Sequence, residues 1–309
     1  MVPIIEVKHL TKYFGDLKAV NDLSFTVQEG QVYGFLGQNG AGKSTTIRML
    51  LTLIKPTSGN IEIFGLDLQK HRKEILRQVG AIIERPDLYK YLTALENLRI
   101  FAAMSGIKIS EKKLMDQLAM VGLEQRAHSK VKTYSQGMKQ RLGIAIALVH
   151  DPKLIILDEP TNGLDPQGIA DIRNLILMLS RDMHKTLLIS SHLLSEMELI
   201  ADSMIIIDKG KKLVEGKVNE LFDPAETIVE LKTTDDSETY NKLLQSSFKG
   251  FVQGKRNDCV LMKLHRNKVP EVMKELVRMD VNVISLHSKH SLEDYFLSLT
   301  TGQSNVEIA

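Results

Sequence analysis

The sequence predicts an α/β fold built on a mostly parallel sheet, followed by a smaller C-terminal α+β domain. Three observations carry this expectation. Short apolar segments alternate with amphipathic helical ones up to about residue 220. A glycine-rich loop joins an apolar strand to a helix near residue 40. The composition then shifts around Leu221-Phe222-Asp223-Pro224, beyond which the elements read strand–helix–strand–strand–helix–strand, the order of a ferredoxin-like unit.

Taken in order, Ile4 to Lys8 and Leu23 to Val27 alternate in part and read as strands, and Gln31 to Leu36 is a short run ending at glycine. Ser44 to Leu53 is helical and is closed by Lys55-Pro56-Thr57-Ser58-Gly59. Asn60 to Phe64 and Val79 to Ile83 follow as strands, and from Thr93 to about Val149 the pattern is helical, with Leu95, Leu98, Phe101 and Ala102 on one face. Leu154 to Leu157, Thr186 to Ser190 and Met204 to Ile207 are apolar strands separated by helices near Gly168 to Leu179 and Leu193 to Ile200, a rhythm that implies a buried parallel sheet. The C-terminal part reads as strands at Ile228 to Lys232, Phe248 to Gln253, Cys259 to Leu264 and Val281 to His287. Helices are expected at Glu238 to Gln245, at Val269 to Arg278 and from Leu292, with a frayed tail from Thr301. The expected domains are therefore residues 1–223, residues 224–300 and a tail at 301–309.

Composition narrows the function. With 40 basic and 38 acidic residues the net charge of +2 offers no case for nucleic acid, and no long Lys/Arg run appears. The single cysteine, Cys259, cannot form an internal disulfide, which fits a reducing cytosol. The N-terminal stretch lacks a basic segment followed by a long apolar run, and runs such as Leu142 to Val149 fall far short of the roughly 20 residues that span a bilayer. Any role in transport across a membrane would need another chain.

The chemistry concentrates in two segments. Gly37-Gln38-Asn39-Gly40-Ala41-Gly42-Lys43-Ser44-Thr45 fits GxxxxGK[ST], directly after an apolar strand and opening a helix. Glycines let the backbone wrap closely, so successive N–H groups and the helix N-terminus face a polyphosphate. Lys43 would bridge the β- and γ-phosphates of ATP, and the Ser44 hydroxyl would ligate Mg2+. A chance match in a glycine turn is the alternative, and the strand–loop–helix context argues against it. The second segment, Leu154-Ile155-Ile156-Leu157-Asp158-Glu159, is an apolar strand ending in two carboxylates that point differently. Asp158 would hold Mg2+ through its shell, while Glu159 would polarise the attacking water.

Over about residues 1 to 220 the chain resembles an ABC-transporter nucleotide-binding subunit. Tyr134-Ser135-Gln136-Gly137-Met138-Lys139-Gln140-Arg141 lies where the family carries its LSGGQ signature. Ser135 and Gly137 match, whereas Tyr134, Gln136 and Met138 depart. A hydroxyl and a side-chain-free backbone survive at a helix N-terminus, 23 residues before Asp158. Gly163-Leu164-Asp165 resembles the D-loop that crosses the dimer interface, and Ser190-Ser191-His192 the switch-histidine region, so His192 would contact the γ-phosphate. Phe14, 29 positions before Lys43, resembles the adenine-stacking aromatic, with Tyr13 the neighbouring candidate. Where the family has its Q-loop glutamine this chain has Glu84, which can ligate Mg2+ or hold water but adds negative charge near the γ-phosphate.

Together with YSQGMKQRLGIA and HDPKLIILDEPTNGLDP, the Glu84 form is similar to the bacitracin-resistance and lantibiotic-self-protection exporters. The resemblance implies a RecA-like core with an antiparallel β patch and a helical subdomain inserted at about residues 85–149. It also implies two ATPase subunits, as homodimer or heterodimer, that sandwich two ATP molecules head to tail. The implied partner is an integral membrane permease of ABC-2 type, with the ATPase peripheral on the inner, cytoplasmic face of the membrane. Members of the family that act in translation resemble two fused ATPase domains and those in DNA repair carry a long coiled coil, whereas this chain has one P-loop and no sustained heptads. A regulatory module with a degenerate site is disfavoured because Glu159 and His192 are both present. The C-terminal domain is left open between dimerisation, regulation, permease contact and a structural extension.

Overall fold

The structure is a computed structural model that describes residues 3–221, 227–256 and 258–290. Its first two strands, β1 (Pro3–Phe14) and β2 (Leu17–Gln28), form a long antiparallel hairpin closed at Gly15, whose φ of 56° suits glycine. Both strands run well beyond the segments expected from periodicity. The register shifts between Val7 and Leu10, and His9 and Asp22 adopt left-handed φ of 52° and 55°. Such bulges break the two-residue alternation, so only fragments of each strand show it in the sequence.

The next strand, β3 (Val32–Leu36), is buried at every position and leads into α1 (Lys43–Leu50). The helix stops three residues earlier than expected, with Leu51 to Ile54 turning back on its last carbonyls. Strands β4 (Ser58–Ile63) and β5 (Leu66–Asp67) complete an antiparallel sheet in the order β2-β1-β4-β5, and α2 (Arg72–Leu76) leads to β6 (Val79–Ile82).

Residues 93–149 are helical in pieces. Helix α3 (Ala94–Met104) starts at a reciprocal capping box between Thr93 and Glu96; α4 (Glu111–Met120) is capped by Ser110 and α5 (Gln136–Ala147) by Ser135. The loops between them, with short 3-10 turns, interrupt what periodicity joins.

The second sheet is completed by β7 (Leu154–Asp158), then α6 (Pro166–Arg181), β8 (Thr186–Ser191), α7 (Leu194–Ile200), β9 (Ser203–Asp208) and β10 (Lys211–Lys217). Its order is β10-β9-β3-β8-β7-β6, parallel from β9 to β6, with β10 antiparallel at the edge. The sequence LKAVNDLSFTVQ of β2 and the parallel strands face a common apolar core that includes Ile5, Phe25, Tyr33, Phe35, Ile47 and Ile156. Phe25 stacks on Tyr33 with ring centroids 6.0 Å apart. Strand β10 was not expected, because KKLVEGK is polar and only half-buried and shows no clear period.

By its internal contacts the chain divides into two units, Met1–Lys217 and Val218–Ala309. The second begins with the short helix α8 (Val218–Leu221) and continues with β11 (Thr227–Thr233), α9 (Asp236–Leu244), β12 (Val252–Arg256), β13 (Cys259–Leu264), α10 (Val269–Arg278) and β14 (Val283–His290). Its sheet is antiparallel in the order β12-β13-β11-β14, the strand arrangement of a ferredoxin-like split βαβ. The burial of β13 alternates strictly, and Val229, Leu231, Val260, Met262 and Leu264 pack with Leu243, Val272 and Leu276 from the two helices. Strand β12 starts four residues later than expected, since Phe248 to Phe251 form a turn whose two rings pack 6.1 Å apart. The expected boundary residues Phe222, Asp223 and Pro224, the helix from Leu292 and the tail from Thr301 lie outside the described residues. Among the described residues no helix is long and apolar enough to cross a membrane.

Candidate active site

Three neighbouring parallel strands, β3, β8 and β7, end side by side, and each exit carries polar residues. Ligands in open α/β sheets gather at such carboxyl ends. The register pairs Leu36 with Ser191 and Asp158 with Ser190, so the exits lie at one level. A cleft of about 690 Å³ opens there, lined by Gln38, Asn39, Gly40, Gly42, Lys43, Ser44 and Thr45 of the glycine-rich loop. Phe14, Leu17, Ala19, Ile83, Glu84, Arg85, Glu159 and Asn162 complete its walls.

The loop is shaped by what its backbone must avoid. Gly42, the residue before α1, has φ 107°, and a Cβ there would sit 2.7 Å from the Ala19 carbonyl oxygen. Gly37 is closed in as well, since a Cβ would meet the Ile207 carbonyl oxygen at 2.6 Å. Gly37 and Ala41 are not among the cleft-lining residues. Lys43 is only 5 % exposed, and its ammonium donates to the carbonyls of Gly37 (2.6 Å) and Gln38 (3.2 Å). Its Nζ also lies 3.1 Å from Glu159 Oε1, an ion pair without hydrogen-bond geometry.

The two acids at the exit of β7 are held by residues of β8 and the turn after it. Asp158 is fully buried, and its Oδ1 accepts a 2.5 Å hydrogen bond from Ser190 Oγ. The same hydroxyl accepts from the Glu159 backbone N–H at 2.9 Å. Glu159 turns out of the strand with φ 51°, and its Oε2 lies 2.7 Å from His192 Nδ1. Asp158 Oδ2 is buried with no hydrogen-bond partner. A buried carboxylate oxygen left without a donor is costly. An orphaned carboxylate oxygen is the kind of donor that suits Mg2+, which needs one or two carboxylates plus substrate phosphates, and the hydroxyl of Ser44 in the cleft wall is a second donor of the right type. No group of three or more His, Cys, Asp or Glu that could hold a metal occurs among the described residues.

The remaining candidates divide by location. Phe14 lines the cleft and is 47 % exposed, with Lys12 Nζ 5.0 Å from its ring centroid. Tyr13, the next residue on the strand, is absent from the lining and lies beside Lys18 instead. Glu84 also lines the cleft, in left-handed backbone (φ 57°), and pairs with Arg48 at 2.6 Å. Ser135, Gly137 and Asp165 do not line it. Ser135 caps α5 by accepting from the Met138 N–H, Asp165 caps α6 by accepting from the Gly168 N–H, and a Cβ on Gly137 would be 3.8 Å from Gly168 Cα. These helix starts therefore lie together on one exposed surface outside the cleft. Tyr134, the residue before this cap, is buried and its hydroxyl donates to the Arg126 carbonyl at 2.6 Å. Burial pushes its phenol pKa up from the usual range.

Comparison with known proteins decides the family. Residues 20–162 match the family model described as ABC transporter. The chain is 44% identical over 304 residues to the bacitracin transport ATP-binding protein BcrA of Bacillus licheniformis, covering 98% of this chain and 99% of that one. It is 41% identical over 228 residues to the lantibiotic transport ATP-binding protein SrtF of Streptococcus pyogenes, covering 74% and 95%. Among solved structures, a dimeric ATP-binding cassette in a post-hydrolysis state, bound to ADP and Pi, superposes with a TM-score of 0.62 at 27% identity, covering 69% of this chain and 98% of that one. The chain belongs to the ABC transporter ATP-binding family.

As an ABC cassette it is an ATPase. Several residues of this ABC site carry no motif of their own. Ser190 ties both acids together, but only the register of β7 against β8 reveals it. Arg48 lies one turn beyond Ser44 on α1, and its link to Glu84 spans 36 positions. Glu196 accepts from Thr161 Oγ1 at 2.6 Å, joining the turn after Glu159 to the start of α7. A helix-phase reading of α1 puts Arg48 on the side of Ser44, but its partner Glu84, like the roles of the other two, needed the fold.

Proposed function

We propose that this ABC ATPase works as the motor of an exporter, energising an integral membrane permease of ABC-2 type from the cytoplasmic face of the membrane. The observation that carries the catalytic part is the convergence of Lys43, Glu159 and His192 around the end of β7, beside the orphaned Asp158 oxygen. In this reading Lys43 and the loop N–H groups hold the β- and γ-phosphates, and Phe14 offers its face to adenine. Ser44 and Asp158 would hold Mg2+, which supplies charge neutralisation on the phosphates. Glu159 takes the proton of the attacking water, with His192 orienting its carboxylate. Ser135, Gly137 and Asp165 serve the ATP bound by a second subunit, which accounts for their place outside the cleft of their own chain. A role in transport is supported by the near full-length similarity to a bacitracin transport ATP-binding protein, and export by the 33% identity, over 97% of this chain, to a Nod factor export ATP-binding protein.

The test is a tagged Glu159→Gln chain, recovered from detergent-solubilised membranes of its own cell in Mg-ATP. It should bring down an integral membrane protein of about six spans, each near 20 residues, and that protein reconstituted with the wild-type chain should move a peptide antibiotic such as bacitracin in an ATP-dependent way. Recovery of ribosomes or repair factors in place of a membrane protein would overturn the transport reading.

A further inference from the structure

Glu84 is an acid at the rim of a cleft built for a polyanion, and its tolerance there needs a physical cause. The register that pairs Ile82 with Leu157 places Glu84 and Glu159 at the same level, each two residues past that pair. Both take left-handed backbone, with φ of 57° and 51°. Each also meets a cation from the same helix. Lys43 opens α1 and reaches Glu159, while Arg48, five residues on, reaches Glu84 at 2.6 Å. Arg48 lies four residues after Ser44, on the same side of the helix. Arg85 lines the cleft beside Glu84 as well.

We propose that Arg48 is a positioning residue for ATP use: it cancels the charge of Glu84 and holds its carboxylate away from the phosphates, so that the pair acts as one neutral unit. This rests on the reading of the cleft as the ATP site. Four charge states follow. The native pair is neutral, Arg48→Met leaves a net −1 at the rim, Glu84→Gln leaves +1, and the double variant is neutral again. ATP carries its negative charge on the phosphates, so affinity should follow that order. Both side chains are partly exposed, at 42 % and 64 %, so solvent and salt moderate the effect.

The experiment measures KM and kcat for Mg-ATP, and equilibrium ATP binding, for the full chain and the three variants, with Arg48→Lys as the charge-preserving control and Lys43→Ala as the reference for a lost site. Arg48→Met should raise KM and the dissociation constant about five-fold, an effect that shrinks as ionic strength rises through the range where the Debye length falls below about 10 Å. Arg48→Lys should lie within about two-fold of wild type, since it keeps the point charge. Glu84→Gln should tighten binding, and the double variant should return to within about two-fold of wild type, because the two opposite charge changes cancel. Unchanged binding in Arg48→Met, or a double variant that binds as weakly as Arg48→Met alone, overturns the proposal. If Lys43→Ala also binds ATP normally, the site assignment itself fails, and the two failures are thereby told apart.

Discussion

Ser190→Ala isolates the one side chain that holds both carboxylates at the end of β7. Its hydroxyl donates to Asp158 Oδ1 at 2.5 Å and accepts from the Glu159 N–H at 2.9 Å. Removing it leaves Asp158, fully buried and already lacking a partner at Oδ2, with no protein donor on either oxygen. A hydrogen bond to a charged group contributes about 1.5–3 kcal/mol, and the freed N–H about 1 kcal/mol more. The protein should therefore lose about 3 kcal/mol of stability in urea unfolding at neutral pH. If half of that is also lost from the transition state, kcat falls about ten-fold, at 1.36 kcal/mol per decade. Steady-state ATPase over a range of Mg2+ concentrations reads the second quantity, and the apparent Mg2+ requirement should rise because Asp158 is no longer aimed. A variant with wild-type kcat, wild-type Mg2+ dependence and unaltered unfolding midpoint would show that Ser190 holds neither acid in any way that matters.

Glu159→Gln should lower turnover by at least about a hundred-fold, the lower range for a lost general base, while ATP binding persists; size-exclusion chromatography in ATP should then show a trapped dimer, and near-normal hydrolysis would move the base elsewhere. Phe14→Ala should weaken ATP binding by about 1–3 kcal/mol, the range for a base stacked on an aromatic ring, and Tyr13→Ala should leave it within error, as measured by titration calorimetry. Mixing Ser135→Ala subunits with Lys43→Ala subunits should restore activity through heterodimers that own one intact composite site; no recovery among heterodimers shown to form would count against that arrangement.

What could be read from the chain alone divides by whether the signal is local. The loop from Gly37 to Thr45 is legible because its demands are met within nine residues: glycine where side chains would collide, a lysine, and a hydroxyl at the helix start. The second unit is legible for a similar reason, since β13 alternates strictly and α10 keeps Val272 and Leu276 on one face. Strand β10 is illegible because an edge strand with both faces half-wet has no period to read. The full length of β1 and β2 is hidden by bulges at His9 and Asp22. Ser190 and Arg48 belong to another kind: each is an ordinary residue in its own segment. Only strand register gives the first a carboxylate, and only the approach of α1 to the end of β6 gives the second one.

The two ion pairs of the cleft are built alike and buried differently, and the difference suits different tasks. Lys43 and Glu159 are 5 % and 14 % exposed, whereas Arg48 and Glu84 are 42 % and 64 % exposed. Charges attract more strongly where water is excluded, so a triphosphate beside Lys43 must compete with Glu159 for the ammonium. Glu159 can yield it without losing its place, because its other oxygen stays on His192 and its backbone N–H on Ser190. A carboxylate anchored at one oxygen and released at the other is poised to turn that free oxygen toward a water. Glu84 has no comparable second anchor among the described contacts, and its pair is open to solvent. Its pair with Arg48 is therefore the one that salt and solvent weaken first, whereas the buried pair at the end of β7 keeps its strength.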